Sequence, residues 1–240
     1  MKHHFFLFFL FSALSVTILH GQKKYTLDNV SSIYIKSTGA IIQKNVVKGY
    51  YFLYETDQIS RKQSKYNLAI LDQNLNKVKE IEFEDSKEIR ITESSFNGNS
   101  FGFIFKNEKK STREIRVYDM NGVQTNSFTR KSTTEESFTS QMIEPTDGTS
   151  NQQLADIGET GFAEIITNGT ANINFLSCKS KVHWTYRLDR KIAAYGVSIL
   201  GATDGNIIIA IQGRKTKFDI EAINLENGEK SYESSVMSIV

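Results

Sequence analysis

The chain has 240 residues, 39% of them apolar, 11% aromatic and 23% charged, enough to bury one sizeable core or a row of small ones. Its 29 Lys plus Arg against 27 Asp plus Glu leave a net charge of +2, so the charge balance does not call for nucleic acid or an anionic membrane as the main partner. Four His and one Cys leave little material for histidine-rich metal sites or disulfide-built folds.

At the start of the chain, Met1-Lys2-His3-His4 precedes fifteen uncharged residues, Phe5 to Leu19, and then the polar break His20-Gly21-Gln22-Lys23-Lys24. This reads as a secretory signal peptide over residues 1–21, because the apolar run is shorter than the roughly 20 residues that span a bilayer. A retained membrane anchor is the alternative. The expected mature chain, 22–240, is exported to the periplasm or beyond, carries no integral membrane segment, and keeps a near-neutral balance of 28 minus 27 charges.

Three of the four histidines, His3, His4 and His20, leave with that segment, so only His183 remains. Cys178 stands five residues away, and along a strand an odd spacing puts two side chains on opposite faces, which argues against a local dyad. No phosphate-loop, dinucleotide, zincin or nucleophile-elbow motif occurs. Asp72-Gln73-Asn74-Leu75-Asn76 opens like a calcium loop, but Lys77 replaces the required Gly and Phe83 the bidentate Glu, so it reads as a polar β-turn. Neither a metal nor a cofactor is expected.

From residue 41 onward the apolar residues alternate with period two. Tyr66 to Asp72 returns as Arg113 to Asp119, 47 residues later, then as Ala171 to Ser177 and Phe218 to Asn224. Each copy has a partner strand upstream: Tyr50 to Tyr54 after Gly49, Phe101 to Phe105 after Gly98, Phe162 to Ile166 after Gly161, and Ile207 to Ile211 after Gly205. Asn168-Gly169 is suited to a tight hairpin. Further strands are expected at Lys77 to Phe83, Val123 to Phe128, Val182 to Leu188 and Glu229 to Ser234. Others precede the hairpins at Ile41 to Val47, Glu88 to Ile91 and Ala193 to Leu200.

The expected fold is all-β, a single domain over 22–240 of repeated antiparallel meanders of about 47 residues. It is β-propeller-like with about four blades, the alternative being a β-sandwich. Residues 130–159 break the rhythm with polar, Gly- and Pro-containing sequence and read as a flexible loop, with one or two helical turns over Thr149 to Gly158.

The stretch Lys48-Gly49-Tyr50-Tyr51-Phe52-Leu53-Tyr54-Glu55-Thr56-Asp57, together with Tyr66 to Leu71 and Asp72 to Val78, resembles the opening of a family of secreted Bacteroidota proteins of unknown function. Ile41 to Val47 and Ser95-Phe96-Asn97-Gly98-Asn99 add to the likeness, which covers roughly residues 25 to 130. The resemblance implies a propeller-like all-β domain and brings no activity or catalytic residue.

Two functional readings follow. One is an exported, non-catalytic scaffold or binding module whose partner is a protein or a glycan, with Trp184 and Tyr186 as ligand-contact candidates. The other is a carbohydrate-acting enzyme, which needs only two carboxylates; Asp57, Asp119, Glu144, Asp147, Glu164 and Asp204 supply candidates. Carboxylates sharing an aromatic-lined cleft would favour the second, scattered ones the first.

Overall fold

A computed structural model describes residues 24–44, 46–132, 153–168, 170–191, 196–203, 205–212 and 217–237. The expected signal peptide at 1–21 and the proposed mature start at Gln22 lie outside these residues, as do Gly169, Asp204 and most of the 130–159 segment. The described chain is all-β, and among these residues no helix is long and apolar enough to cross a membrane.

The described residues form sixteen strands, in four consecutive antiparallel meanders of four strands each. The first holds β1 (Ser32–Gln43), β2 (Val46–Gln58), β3 (Gln63–Asp72) and β4 (Lys77–Ser86). The second holds β5 (Ile89–Phe96), β6 (Ser100–Asn107), β7 (Thr112–Asp119) and β8 (Gln124–Lys131). The third holds β9 (Leu154–Asp156), β10 (Gly161–Asn168), β11 (Thr170–Ser177) and β12 (His183–Lys191), and the fourth β13 (Val197–Thr203), β14 (Asn206–Gln212), β15 (Lys217–Asn224) and β16 (Lys230–Met237). The first two meanders join into one eight-stranded sheet through a short parallel contact of β1 with β5, Ile42 opposite Ser95.

Period-two alternation gives each strand two distinct faces, and the cores lie between successive meanders. Tyr51, Leu53, Leu68, Ile70 and Ile81 of the first meet Phe101, Phe103, Phe105 and Tyr118 of the second. The opposite face of the second, with Ile104, Ile115 and Val117, packs on Leu154, Phe162 and Leu176 of the third. The third in turn presents Ile173, Phe175 and Leu188 to Ile207, Ile209, Ile211 and Ile223 of the fourth. Gly102 makes the second contact possible, since a Cβ there would stand 2.9 Å from the Phe162 ring.

Asp72, Asp119, Ser177 and Asn224 are each the last residue of the third strand of their meander. Each turns its side-chain oxygen onto the backbone N–H groups that follow. Asp72 Oδ1 accepts from Asn74 and Asn76, Asp119 Oδ1 from Asn121 and Val123, Ser177 Oγ from Lys179 and Ser180, and Asn224 Oδ1 from Glu226 and Asn227. These are side-chain-closed turns, and in the first of them the carboxylate that opens the calcium-like sequence is engaged by its own loop.

Two boundaries differ from expectation. The strand expected at Ile41 to Val47 straddles a hairpin turn, with Lys44 at φ +47°, and β1 instead starts at Ser32. Its buried or inward positions include Ser37 and Gly39, small residues that do not register as an apolar run, and Gly39 leaves room for the Tyr51 ring. The helical turns expected over Thr149 to Gly158 are replaced, in their described part, by strand β9. Ala155 pairs there with Ala163 of β10, and tertiary pairing outweighs local capping signals. Within the 130–159 segment, β8 extends to Lys131 and β9 begins at Leu154.

Candidate functional site

The side of the first meander that faces away from the second carries a polar cleft of about 570 Å³. Alternation puts Tyr54 and Thr56 of β2, Lys65 and Asn67 of β3, and Glu80 and Glu82 of β4 on this face, and the segment Tyr25 to Asn29 crosses over them. Glu80 is the hub. Its carboxylate accepts from the Tyr54 hydroxyl at 2.5 Å, from Asn67 Nδ2 at 3.1 Å and from Lys77 Nζ at 2.6 Å. The Lys77 contact first, and the Tyr54 hydroxyl second, hold the Glu80 carboxyl below its ordinary range. Burial, reinforced by the bond to Glu80, pushes the Tyr54 phenol up to about 12. At neutral pH, Glu80 is therefore an ionised acceptor, unsuited to donate the proton that glycosidic cleavage requires.

Tyr54 is buried and forms the floor, whereas Tyr25 keeps partial exposure and packs on Phe52 with ring centroids 6.4 Å apart. Asp57 is the one expected carboxylate candidate that lines this cleft. Asp119 lies at the end of β7, closing its turn, and Glu164 is enclosed between the second and third meanders. Glu144, Asp147 and Asp204 lie outside the described residues. Tyr25, Asn67 and Glu80 escape sequence reading because they come from three distant segments, each with no motif of its own. The only signal is the run of polar residues at alternate positions of β3 and β4.

The ligand-contact candidates Trp184 and Tyr186 sit between the third and fourth meanders, both partly buried. Trp184 stacks on Phe175 at 5.1 Å and donates Nε1–H to the Leu225 carbonyl; Tyr186 donates to Glu221 Oε2 at 2.8 Å. Cys178 is buried, its thiol against the Glu159 carbonyl, and His183 is exposed beside Phe128.

A second group of charges is interior. Glu164 lies between Arg113, Arg130 and Asn174, and nearby Glu93 accepts the Leu154 N–H at 2.9 Å. Burial pushes the Glu93 carboxyl up to about 7, the Leu154 N–H offsetting only part of the effect. A carboxyl whose pKa is higher folded than unfolded contributes stability that is complete below its unfolded value of about 4.3 and is lost as pH rises through the folded one. The protein should thus lose on the order of 2 kcal/mol between about pH 5 and pH 8 from this residue, allowing for its partial exposure. Urea unfolding of wild type and Glu93→Gln at both pH values checks it: the difference between the two proteins should change by that amount. Parallel pH profiles would contradict the assignment.

A family model described as "Family of unknown function (DUF6770)" matches residues 1–237. No curated protein matches the chain. Among solved structures, the chain is similar to an uncharacterized protein from Listeria monocytogenes EGD-e, with 9% sequence identity and a TM-score of 0.26, over 85% of this chain and 68% of that one.

Proposed function

We propose that this chain, which belongs to the family of unknown function DUF6770, is an exported, non-catalytic binding module that contacts a glycan through the cleft over β2, β3 and β4. The carrying observation is the composition of that cleft. A partly exposed Tyr25 ring stands beside Asn67, Glu80, Asp57 and Lys65, whose donors and acceptors match sugar hydroxyls, as the ring face matches the apolar face of a pyranose. Export rests on the sequence of residues 1–21.

The architecture we propose is propeller-like, each meander acting as one blade. Two features support it: the matching turn residues Asp72, Asp119, Ser177 and Asn224, and the sequential packing of the first three meanders on their successors. Stiff blades with short edges present surface residues without needing any catalytic group.

Screening the protein on a glycan array, followed by calorimetry with the best oligosaccharide, tests the reading. Tyr25→Ala and Asn67→Ala are each expected to weaken binding about tenfold while leaving the unfolding midpoint nearly unchanged, the loss of one stacking or hydrogen-bond contact. An array with no hits, or hits indifferent to both substitutions, would remove the proposal.

A further inference from the structure

A second cleft, of about 690 Å³, opens at the end of the first two meanders where the β2–β3, β4–β5 and β6–β7 connections meet. Its cations are Arg61, Lys62 and Lys110, all exposed. Among the described residues none of the three has a side-chain ion pair or hydrogen bond. Nearby Lys65, Arg90, Lys106 and Arg116 are each ion-paired. Of the two acids in the lining, Asp85 is paired with Arg116, which it shares with Glu114, and Glu84 has no ion pair among the described residues.

The connections that carry the cations are stiffened by side-chain bonds to their own backbones. Ser60 Oγ accepts from the N–H groups of Lys62 and Gln63 at 3.2 and 3.1 Å, and Asn107 Oδ1 from that of Lys110 at 2.8 Å. The Lys87 N–H donates to the Lys62 carbonyl at 3.1 Å and ties two of the connections together. Fixed turns remove the loop-ordering part of the cost of binding an anion and leave only the ordering of the side chains themselves.

The mixture of groups selects the kind of anion. Duplex DNA places a charge about every 1.7 Å of its axis, which Glu84 would oppose, and no aromatic residue lines the cleft to stack on unpaired bases. Ile59, 45% exposed, is the one large apolar side chain on the adjoining turn, too little surface to insert among lipids. A polymer with one carboxylate per sugar and many hydroxyls fits both sets of groups. We propose that this cleft binds a polyuronate, with Arg61, Lys62 and Lys110 on its carboxylates and Gln63, Glu84 and Ser86 on its hydroxyls.

The test is calorimetry of the full chain with an alginate oligosaccharide, against dextran, a DNA duplex of about 20 base pairs and phosphatidylglycerol vesicles. Alginate should bind more tightly than the other three and weaken with salt. The triple variant Arg61→Gln, Lys62→Gln, Lys110→Gln should lose at least about tenfold, the sum expected of three exposed charge contacts. Lys179→Gln, on a distant exposed turn, should bind as wild type does. Alginate binding no tighter than dextran, an unaffected triple variant, or a preference for DNA or vesicles would each overturn the proposal.

Discussion

Replacing Glu164 by alanine is expected to destabilise the protein by about 3–5 kcal/mol, the range seen when one member of a buried charge cluster is removed. The Glu164 side chain is 1% exposed and lies between two arginines. Arg130 grips both of its oxygens, Nε to Oε2 at 3.1 Å and Nη2 to Oε1 at 2.8 Å. Arg113, whose side chain is 4% exposed, adds charge at 3.5 Å, and Asn174 Nδ2 donates at 3.0 Å. Without the carboxylate, the guanidinium groups of Arg113 and Arg130, side by side on the adjacent strands β7 and β8 of the second meander, lose the group that ties them to the third, and the buried one cannot reach water. Urea unfolding of the variant measures the loss. The double variant Glu164→Leu, Arg113→Leu should recover part of it, because it removes a charge along with its partner. A single-variant effect below about 1 kcal/mol would show that the cluster is solvated in solution.

Phe103→Ala should cost a similar amount, about 3–5 kcal/mol, as the truncation of a fully buried ring does. Phe103 is inaccessible to solvent at the middle of β6, with ring centroids 5.6 Å from Tyr51, 6.2 Å from Tyr118 and 6.4 Å from Phe105. The Tyr51 contact crosses from one meander to the next, so the cavity would open in the core that folds the eight-stranded sheet over on itself. Phe103→Leu, which keeps most of the volume, should cost less than about 1.5 kcal/mol. Equal losses for the two variants would mean that the ring contacts, rather than filled volume, stabilise this core.

Each of the three inter-meander contacts holds a buried polar group at its margin. Arg116 lies over the rings of Phe83 and Phe105, at 5.2 and 4.3 Å, while paired with Asp85 and Glu114. Glu164 serves the second contact and the Tyr186–Glu221 bond the third. A buried charge requires a specific partner, so such groups oppose sliding of one apolar sheet over another. That role would account for their presence in contacts otherwise made of interchangeable aliphatic and aromatic residues.

The sequence by itself determined the all-β class and most of the hairpins, because both are local. Alternation at Leu68 and Ile70, Ile115 and Val117, or Ile173 and Phe175 needs only neighbouring residues, and so do turns closed by Asp72, Asp119 or Asn224. Only the tertiary structure decided what those faces meet. Arg113 and Arg116 carry charge on opposite faces of β7, yet they are only 4% and 9% exposed, because Glu164 and Asp85 reach them from 51 and 31 residues away. Tyr25, Asn67 and Glu80 come together the same way, through strand pairing and a covering segment. Whether a polar side chain ends in water, in an ion pair or in a cleft depends on groups distant in sequence, and period-two alternation carries no record of them.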